Sequence, residues 1–429
     1  MIDIKLLREE PERFKKNMTK KFMENKLHII DDVLSYDSEW RTIKKQIDDL
    51  RKSRNELSRQ ANKAKKAGND AEFQKILGKV KDIPNKINNL EKQGELVQKE
   101  LKKNLIKIPN MMHESVVQGK DENKNPVIKT VGEKKEFSFP IKNHVELAEE
   151  LGVVDFERAA DMSGNGFYIL KGDLAILNQA IIRFSLEHMQ KKGYYYIEPP
   201  LMIRKKVLDA AMDTEEFAGT IYNIAGEDLN MIGTSEHALL GLHENEAINE
   251  TKLPLKYYSY TMCFRKEIGS HGINEKGLWR THQFNKIEQF IFCKPEESYQ
   301  LYDELLQNTE ELFQALDLHY RIVECCSGDL ALWKAKSCDI EVWRPTTKDY
   351  GEVTSLSNCT DFQARGIGTK ILRKHGEREF LHTLNNTAIA TSRVMVAILE
   401  NYQNEDGSVS IPKVLHPYMM GITKIKTKK

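Results

Sequence analysis

Cysteine is scarce in this 429-residue chain and poorly spaced for chemistry: Cys263, Cys293, Cys325, Cys326, Cys338 and Cys359 form no CxxC and no ligand-like pairing with histidine. Reduced structural thiols are expected, not a zinc site. No run approaches the ~18 apolar residues of a membrane span, and the opening MIDIKLLREEPERF carries charges where a signal peptide has its apolar core. A cytoplasmic location is expected. Neither GxGxxG nor GxxxxGKS/T occurs, which disfavours a Rossmann or P-loop nucleotide site. Charge of either sign is also lacking in excess, since 65 Lys and Arg stand against 64 Asp and Glu.

That balance hides an asymmetry. Between Asp37 and Lys107 about nineteen basic residues face about eleven acidic ones, so this segment is near +8 and the remainder is acidic by about seven. A basic segment on an acidic body suits a polyanionic partner for one part only. With 40% hydrophobic and 30% charged residues, the length suits two or three soluble globular units at ~150 residues each.

From Trp40 the apolar positions run Trp40, Ile43, Ile47, Leu50, Leu57, Ala61, Ala64, with Arg54 interrupting the seam. A second series runs Phe73, Ile76, Val80, Ile83, Ile87, Leu90, Gly94, Val97, Leu101. Both are heptad patterns. Folding the chain at Gly68 and Asn69 sets Ala64 against Phe73, Ala61 against Ile76, Leu50 against Ile87, Ile43 against Gly94 and Trp40 against Val97. An antiparallel helical hairpin over about 37–107 is expected, with its tip near 68. Pro84 removes a helix hydrogen bond and predicts a bend in the second arm. Arg59, Lys63, Lys65 and Lys66 crowd the tip; by themselves they suit a solvated face or a nucleic-acid backbone. The polar stretch 113–140 reads as a linker.

Beyond it, two segments of helical period (HVELAEELG, LAILNQAIIRFSLEHMQKKG) precede short strands: YYYIEPP, LPLKYYSYTMCF, HQFNKIEQFIFC, RIVECC, SCDIEVWR and VTSLSNCTDFQ. Strands in consecutive order with few helical crossovers predict an α+β fold with a mainly antiparallel sheet. Within Thr261–Phe290 the apolar flanks carry Arg265, Glu267, Arg280 and Glu288. Alternation would place Arg265 and Glu267 on one face of the first strand, and Arg280, Phe284 and Glu288 on one face of the second. A ring between guanidiniums suits a purine with its polyphosphate, whereas a bare RxE on a strand also suits an ion-pair ladder.

FRKE with GSHGINEKGLWRTHQF resembles the second motif of class II aminoacyl-tRNA synthetases in its seryl form, close to archaeal and eukaryotic members. GYYYIEPP resembles the first motif, NNTAIATSRVMVAILENYQ the third, and GTSEHALLG a serine-pocket element. With the hairpin, the chain is similar over its whole length to the seryl-tRNA synthetase family. The third motif here lacks the usual glycines.

The resemblance implies an N-terminal tRNA-binding helical domain over 1–112, a linker over 113–140 and a class II catalytic domain over 141–429. That domain would have a six- or seven-stranded antiparallel sheet with flanking helices, and homodimers would form through the first motif. It implies ATP and Mg²⁺, activation of serine to seryl-adenylate, and transfer to the 3′ end of tRNA(Ser), with tRNA(Sec) left open as a second acceptor. Carried over position by position, Arg265 and Arg393 are catalytic. ATP falls to Arg265, Glu267, Arg280, Phe284, Glu352, Ser355 and Arg393, and the metal to Glu352 and Ser355. Serine falls to Thr234, Glu236, Arg265, Glu288, Asn385 and Thr387, and tRNA to Arg59, Lys63, Lys65 and Lys66. A relative charging a carrier protein would lack the helical arm, and a non-catalytic RNA-binding paralogue would have lost the ATP residues.

Overall fold

The structure, a computed structural model, describes residues 1–267 and 277–427. Residues 268–276, with GSHG and most of the loop expected inside Thr261–Phe290, lie outside the described residues. The chain divides into two compact units, Ile2–Pro109 and Asn110–Lys429 together with Met1.

In the first unit two short helices, α1 (Ile4–Glu9) and α2 (Pro11–Lys20), precede the 39-residue α3 (His28–Lys66). The return arm is α4 (Asp70–Lys81) and α5 (Ile83–Leu105). Gly68 takes φ +72° at the tip, a conformation that costs glycine little. Asn69 then caps α4, its side chain accepting the Glu72 N–H at 3.1 Å. The seam has the expected register: Ile43, Ile47, Ile83, Ile87 and Val97 are buried together, with Trp40, Leu50, Leu57 and Leu90 packed against them. A Cβ on Gly94 would lie 3.4 Å from Ile43 Cγ2, so this glycine lets the arms approach. Arg51–Glu91 at 2.7 Å and Gln93–Glu39 at 3.2 Å bridge the arms at the surface.

Pro84 acts differently from the expected bend. The helix ladder is interrupted, with α4 ending at Lys81 and α5 starting at Ile83. Asp82 between them keeps near-helical angles (φ −89°, ψ −14°) and its carbonyl accepts the Lys86 N–H at 3.1 Å. Proline near a helix start forfeits a bond that position lacks anyway, so the seam stays in phase despite the interruption.

The second unit is built on an eight-stranded sheet. In chain order its strands are β1 (Val127–Val131), β2 (Tyr195–Tyr196), β3 (Leu255–Phe264), β4 (Gln283–Cys293), β5 (Tyr320–Glu324), β6 (Lys336–Arg344), β7 (Asp349–Asn358) and β8 (His382–Ala390). They lie in the order β1-β5-β6-β7-β8-β4-β3-β2, antiparallel except for β2 beside β3. The sheet exceeds the six or seven strands implied by resemblance. One strand, β1, comes from the stretch expected to be a linker: VIKTV pairs with β5, where its backbone groups find partners at the sheet edge. Another, β8, lies in the NNTAIA stretch read only as a motif. The predicted strand VTSLSNCTDFQ ends at Asn358, and its last residues enter a short helix, Phe362–Ile367.

Both faces of the sheet are covered, which explains why β4 is buried almost throughout. Its odd positions, Ile287, Ile291 and Cys293, join the larger core beneath α6 (Gly172–Lys191), α7 (Ser298–Ala315) and α8 (Thr391–Asn401). Its even positions change character along the strand. Phe290 and Phe292 enter a second apolar core, whereas Phe284, Lys286 and Glu288 face a cavity. No helix among the described residues is long and apolar enough to cross a membrane. All six cysteines are free and buried.

Candidate active site

The cavity measures ≈ 420 Å³, and the twelve residues assigned to ATP, serine and metal all line it: Thr234, Glu236, Arg265, Glu267, Arg280, Phe284, Glu288, Glu352, Ser355, Asn385, Thr387 and Arg393. The four assigned to tRNA lie elsewhere, exposed near the tip of the arm.

Strand alternation accounts for only part of this convergence. Strand β3 stops at Phe264, and Arg265 continues the pairing by donating its N–H to His282 O at 3.0 Å. Glu267 then takes φ +51°, which ends the extended chain. Arg280 likewise precedes β4. The expected sharing of strand faces by Arg265 with Glu267, and by Arg280 with Phe284, is therefore corrected: these charges sit on the strand extensions. Arg280 and Glu267 nevertheless approach to 3.7 Å. The Arg265 guanidinium lies 5.3 Å from the Phe284 ring centroid and its Nε donates to Gly233 O at 3.1 Å, so the arginine is aimed before any ligand arrives.

On the sheet floor the Lys286 ammonium meets Glu288 at 2.7 Å, with both side chains buried. Thr387 donates its hydroxyl to Glu288 at 3.2 Å. Burial pushes the Glu288 carboxyl up from its ordinary range and Lys286 opposes that push. Glu236, in the first turn of a short helix capped by Thr234 (3.3 Å), accepts from Gln363 Nε2 at 2.7 Å. Gln363 in turn accepts from the Thr383 hydroxyl at 2.7 Å. Asn385 Nδ2 points to Cys359 Sγ at 3.7 Å. Below them, burial first and the charges of Lys286 and Arg265 next push His237 down to about 3, so its imidazole is neutral.

At the other end, Arg393 sits in the first turn of α8, donating to the Glu352 carbonyl at 2.8 Å and pairing with its carboxylate at 3.4 Å. Glu352 and Ser355 are three residues apart, and a regular strand would point them to opposite faces. One extra residue on β7 breaks the pairing there, with Ile340 opposite Thr354 but Glu341 opposite Glu352. That bulge restores both to the cavity. Ser355 accepts from Lys334 Nζ at 3.2 Å. Nearby Asp339, pushed up to about 7 by burial and by Glu352, has an Oδ1 with no partner among the described residues. Among the described residues no three His, Cys, Asp or Glu side chains converge into a metal cage. Glu352 and Ser355 both line the cavity, and their side chains present oxygen, the donor type that hard cations take.

Sequence reasoning assigned no role to Trp279, Lys286, Lys334 or Gln363. Trp279 is covered by Arg344 at 4.4 Å and Arg393 at 5.6 Å; its place inside GLWRTHQF was the available signal. Lys286 alternates with Phe284 and Glu288, which placed it on their strand face but gave it no role. Lys334 and Gln363 come from remote segments and carry no local mark.

Gly351 permits the Trp279 position, because a Cβ there would meet the indole at 2.3 Å. Gly351→Ala is expected to displace the ring from Arg393 and raise the KM for ATP roughly 3- to 30-fold while leaving the KM for serine unchanged. Steady-state exchange kinetics with each substrate varied check this.

Comparison with known proteins places the chain in a family. Residues 1–112 match the seryl-tRNA synthetase N-terminal domain, and residues 220–402 match the tRNA synthetase class II core domain (G, H, P, S and T). The serine–tRNA ligase of Methanospirillum hungatei is 44% identical over 98% of this chain and 99% of its own. A seryl-tRNA synthetase structure from Pyrococcus horikoshii complexed with ATP superposes with a TM-score of 0.91, at 41% identity and full coverage of both chains. The cytoplasmic serine–tRNA ligase of Naegleria fowleri in complex with AMP gives 0.85 at 31% identity, covering 100% of this chain and 99% of that one. The chain belongs to the seryl-tRNA synthetase family of class II aminoacyl-tRNA synthetases.

Proposed function

We propose a residue-level division of labour for the reaction of this family, the ATP-dependent joining of serine to tRNA(Ser). In the first half-reaction a serine carboxylate oxygen forms a bond to the α-phosphorus in line. The bond from that phosphorus to its bridging oxygen breaks, and pyrophosphate leaves with the electron pair. Negative charge crowds the centre, so positioned cations supply most of the stabilisation. Arg265 holds the α-phosphate and the serine carboxylate. Arg280 and Arg393 grip the β- and γ-phosphates, Phe284 stacks on adenine, and Glu267 lies beside the base and phosphates. Mg²⁺ held by Glu352 and Ser355 would neutralise phosphate charge.

Glu288, Asn385 and Thr387 receive the serine hydroxyl, while Thr234 and Glu236 close the pocket. Alanine or glycine in this pocket leaves buried polar groups without partners, which discriminates better than shape. In the second half-reaction a terminal ribose hydroxyl of the tRNA forms an ester with the serine carbonyl. The bond between that carbonyl and phosphate breaks, and AMP leaves, its phosphate taking the hydroxyl proton.

The observation carrying this reading is convergence: residues from separate stretches of the chain, each assigned a role by its motif, line one cavity. ATP–pyrophosphate exchange across a panel of amino acids, followed by charging of total tRNA, tests it. Exchange with serine and then charging are expected. Exchange without charging would favour a carrier-protein ligase, and no exchange with any amino acid a binding paralogue.

The tip residues Arg59, Lys63, Lys65 and Lys66 contact the backbone of the tRNA's long variable arm. Lys65→Ala with Lys66→Ala is expected to weaken tRNA binding and reduce the slope of log affinity against log salt by about 1.5; filter binding across a salt series reads both. Two copies pair through the GYYYIEPP segment, a reading supported by the exposed Tyr195 on edge strand β2. The enzyme works in the cytoplasm, where its three substrates meet.

A further inference from the structure

The chain passes through Gly277, Leu278, Trp279 and Arg280 shortly before β4 begins at Gln283. Of these four, Trp279 and Arg280 line the cavity. Three side chains outside that lining, His144, Arg344 and Glu400, join behind them in one polar group. Glu400 is fully buried near the end of α8, and its carboxylate accepts from Arg344 Nη2 at 2.9 Å and Nε at 3.3 Å. His144 Nδ1 lies 3.2 Å from the same carboxylate. Burial alone would push the Glu400 carboxyl up, and the hydrogen bonds from His144 and Arg344 hold it below the ordinary range.

Each partner of Glu400 reaches one of the residues leading into β4. His144 Nε2 accepts the Leu278 N–H at 3.2 Å, which leaves Nδ1 to donate its proton to Glu400. Gly277 lets the ring come this close, because a Cβ there would lie 2.7 Å from Nε2. The Arg344 guanidinium lies 4.4 Å from the centre of the Trp279 ring, which also meets Arg393 at 5.6 Å. Arg393 and Glu400 are seven residues apart on α8, about 10 Å along its axis. One helix thus carries both a cavity arginine and the buried carboxylate that braces the segment beside it. The end of that helix is itself secured, since Asn401 Nδ2 donates to Trp343 O at 3.0 Å and Gln403 Nε2 to Lys142 O at 3.0 Å.

We propose that His144, Arg344 and Glu400 are positioning residues for ATP, holding Leu278 and Trp279 so that Trp279 and Arg280 meet the β- and γ-phosphates. The inference rests on the division of labour above, in which Arg280 and Arg393 take those phosphates. A buried ion pair adds little net stability beside an apolar pair of the same volume. Its directional bonds, however, fix where the segment lies. Arg265 is oriented separately, by Gly233 O and the Phe284 ring. Adenine, the α-phosphate and serine therefore bind independently of the buried group.

The test uses the full chain with three alterations. His144→Ala removes the acceptor of the Leu278 N–H, and His144→Gln keeps one. Arg344→Met together with Glu400→Leu removes the ion pair and leaves neither of its charges buried alone. Equilibrium binding of ATP with Mg²⁺ and of AMP is measured, and exchange kinetics give the KM for serine. For His144→Ala and for the double substitution, ATP affinity is expected to weaken roughly 10-fold, with AMP affinity and the KM for serine within about 2-fold. His144→Gln is expected to bind ATP within about 3-fold of the unaltered protein. The proposal is overturned if ATP affinity is unchanged in either altered protein, or if AMP weakens in parallel with ATP, as general loosening of the domain would cause. It is equally overturned if His144→Gln binds ATP no better than His144→Ala. Where His144→Ala does not fold, the double substitution decides by the same ATP and AMP criteria. Failure of the ligase reading shows separately, as absence of serine-dependent exchange in the unaltered protein.

Discussion

Arg265→Ala is expected to abolish serine-dependent ATP–pyrophosphate exchange. The side chain is held from two directions, by Gly233 O at 3.1 Å and by the Phe284 ring at 5.3 Å, so its orientation costs nothing further when substrates bind. Preorganised donors of this kind are worth on the order of 10²–10³ in rate each. Arg265 is assigned both the attacking carboxylate and the phosphorus under attack, which puts the loss at the upper end of that range. Arg265→Lys should recover little, because an ammonium cannot bridge two anions in a planar fork. Circular dichroism and tRNA binding are expected to stay normal, since Arg265 adds no apolar contact to either core. An alanine variant that still exchanges at more than about a tenth of the normal rate would remove Arg265 from the reaction centre.

Shortening the hairpin should separate the two half-reactions. Joining α3 to α5 between Leu50 and Ile87, which face one another across the seam, removes the distal arms and tip while keeping the Ile43, Ile47 and Val97 packing. Exchange with serine is expected to continue at the normal rate, because the cavity lies wholly within the other unit. Charging of tRNA should fall on the order of 10²-fold or more as the backbone contacts of the basic tip are lost. Normal charging by the shortened protein would show that the arm does not grip the acceptor. Parallel loss of both activities would show that the hairpin supports the cavity.

The hairpin was legible from sequence because a heptad seam is written in local spacing. Once Gly68 marked the turn, each pair followed by arithmetic, and Gly94 opposite Ile43 is such a pair. The Pro84 outcome shows where such arithmetic stops: the pattern predicted continuing phase but not where the hydrogen-bond ladder would break. The stretch around VIKTV carried too little apolar alternation to announce a strand, and it is one only because β5 offers an unpaired edge. In the cavity, resemblance named residues from motifs. It could not name Lys334 or Gln363, whose roles arise from segments brought alongside Ser355 and Glu236.

By itself the amino-acid order determined the arm register and the sheet class, because these depend on periodicity, and its motifs, through resemblance, named twelve of the residues that line the cavity. Tertiary structure alone decided which way those residues point. The extra residue on β7 turns Glu352 and Ser355 to the same side, and Glu267, at φ +51°, turns the chain just beyond the end of β3. The placement of Trp333 against Phe217 likewise depends on segments far apart in the chain. The physical reason is that a bulge, a strand end or a remote packing partner is selected by the energy of the whole assembly, to which no local stretch of residues has access.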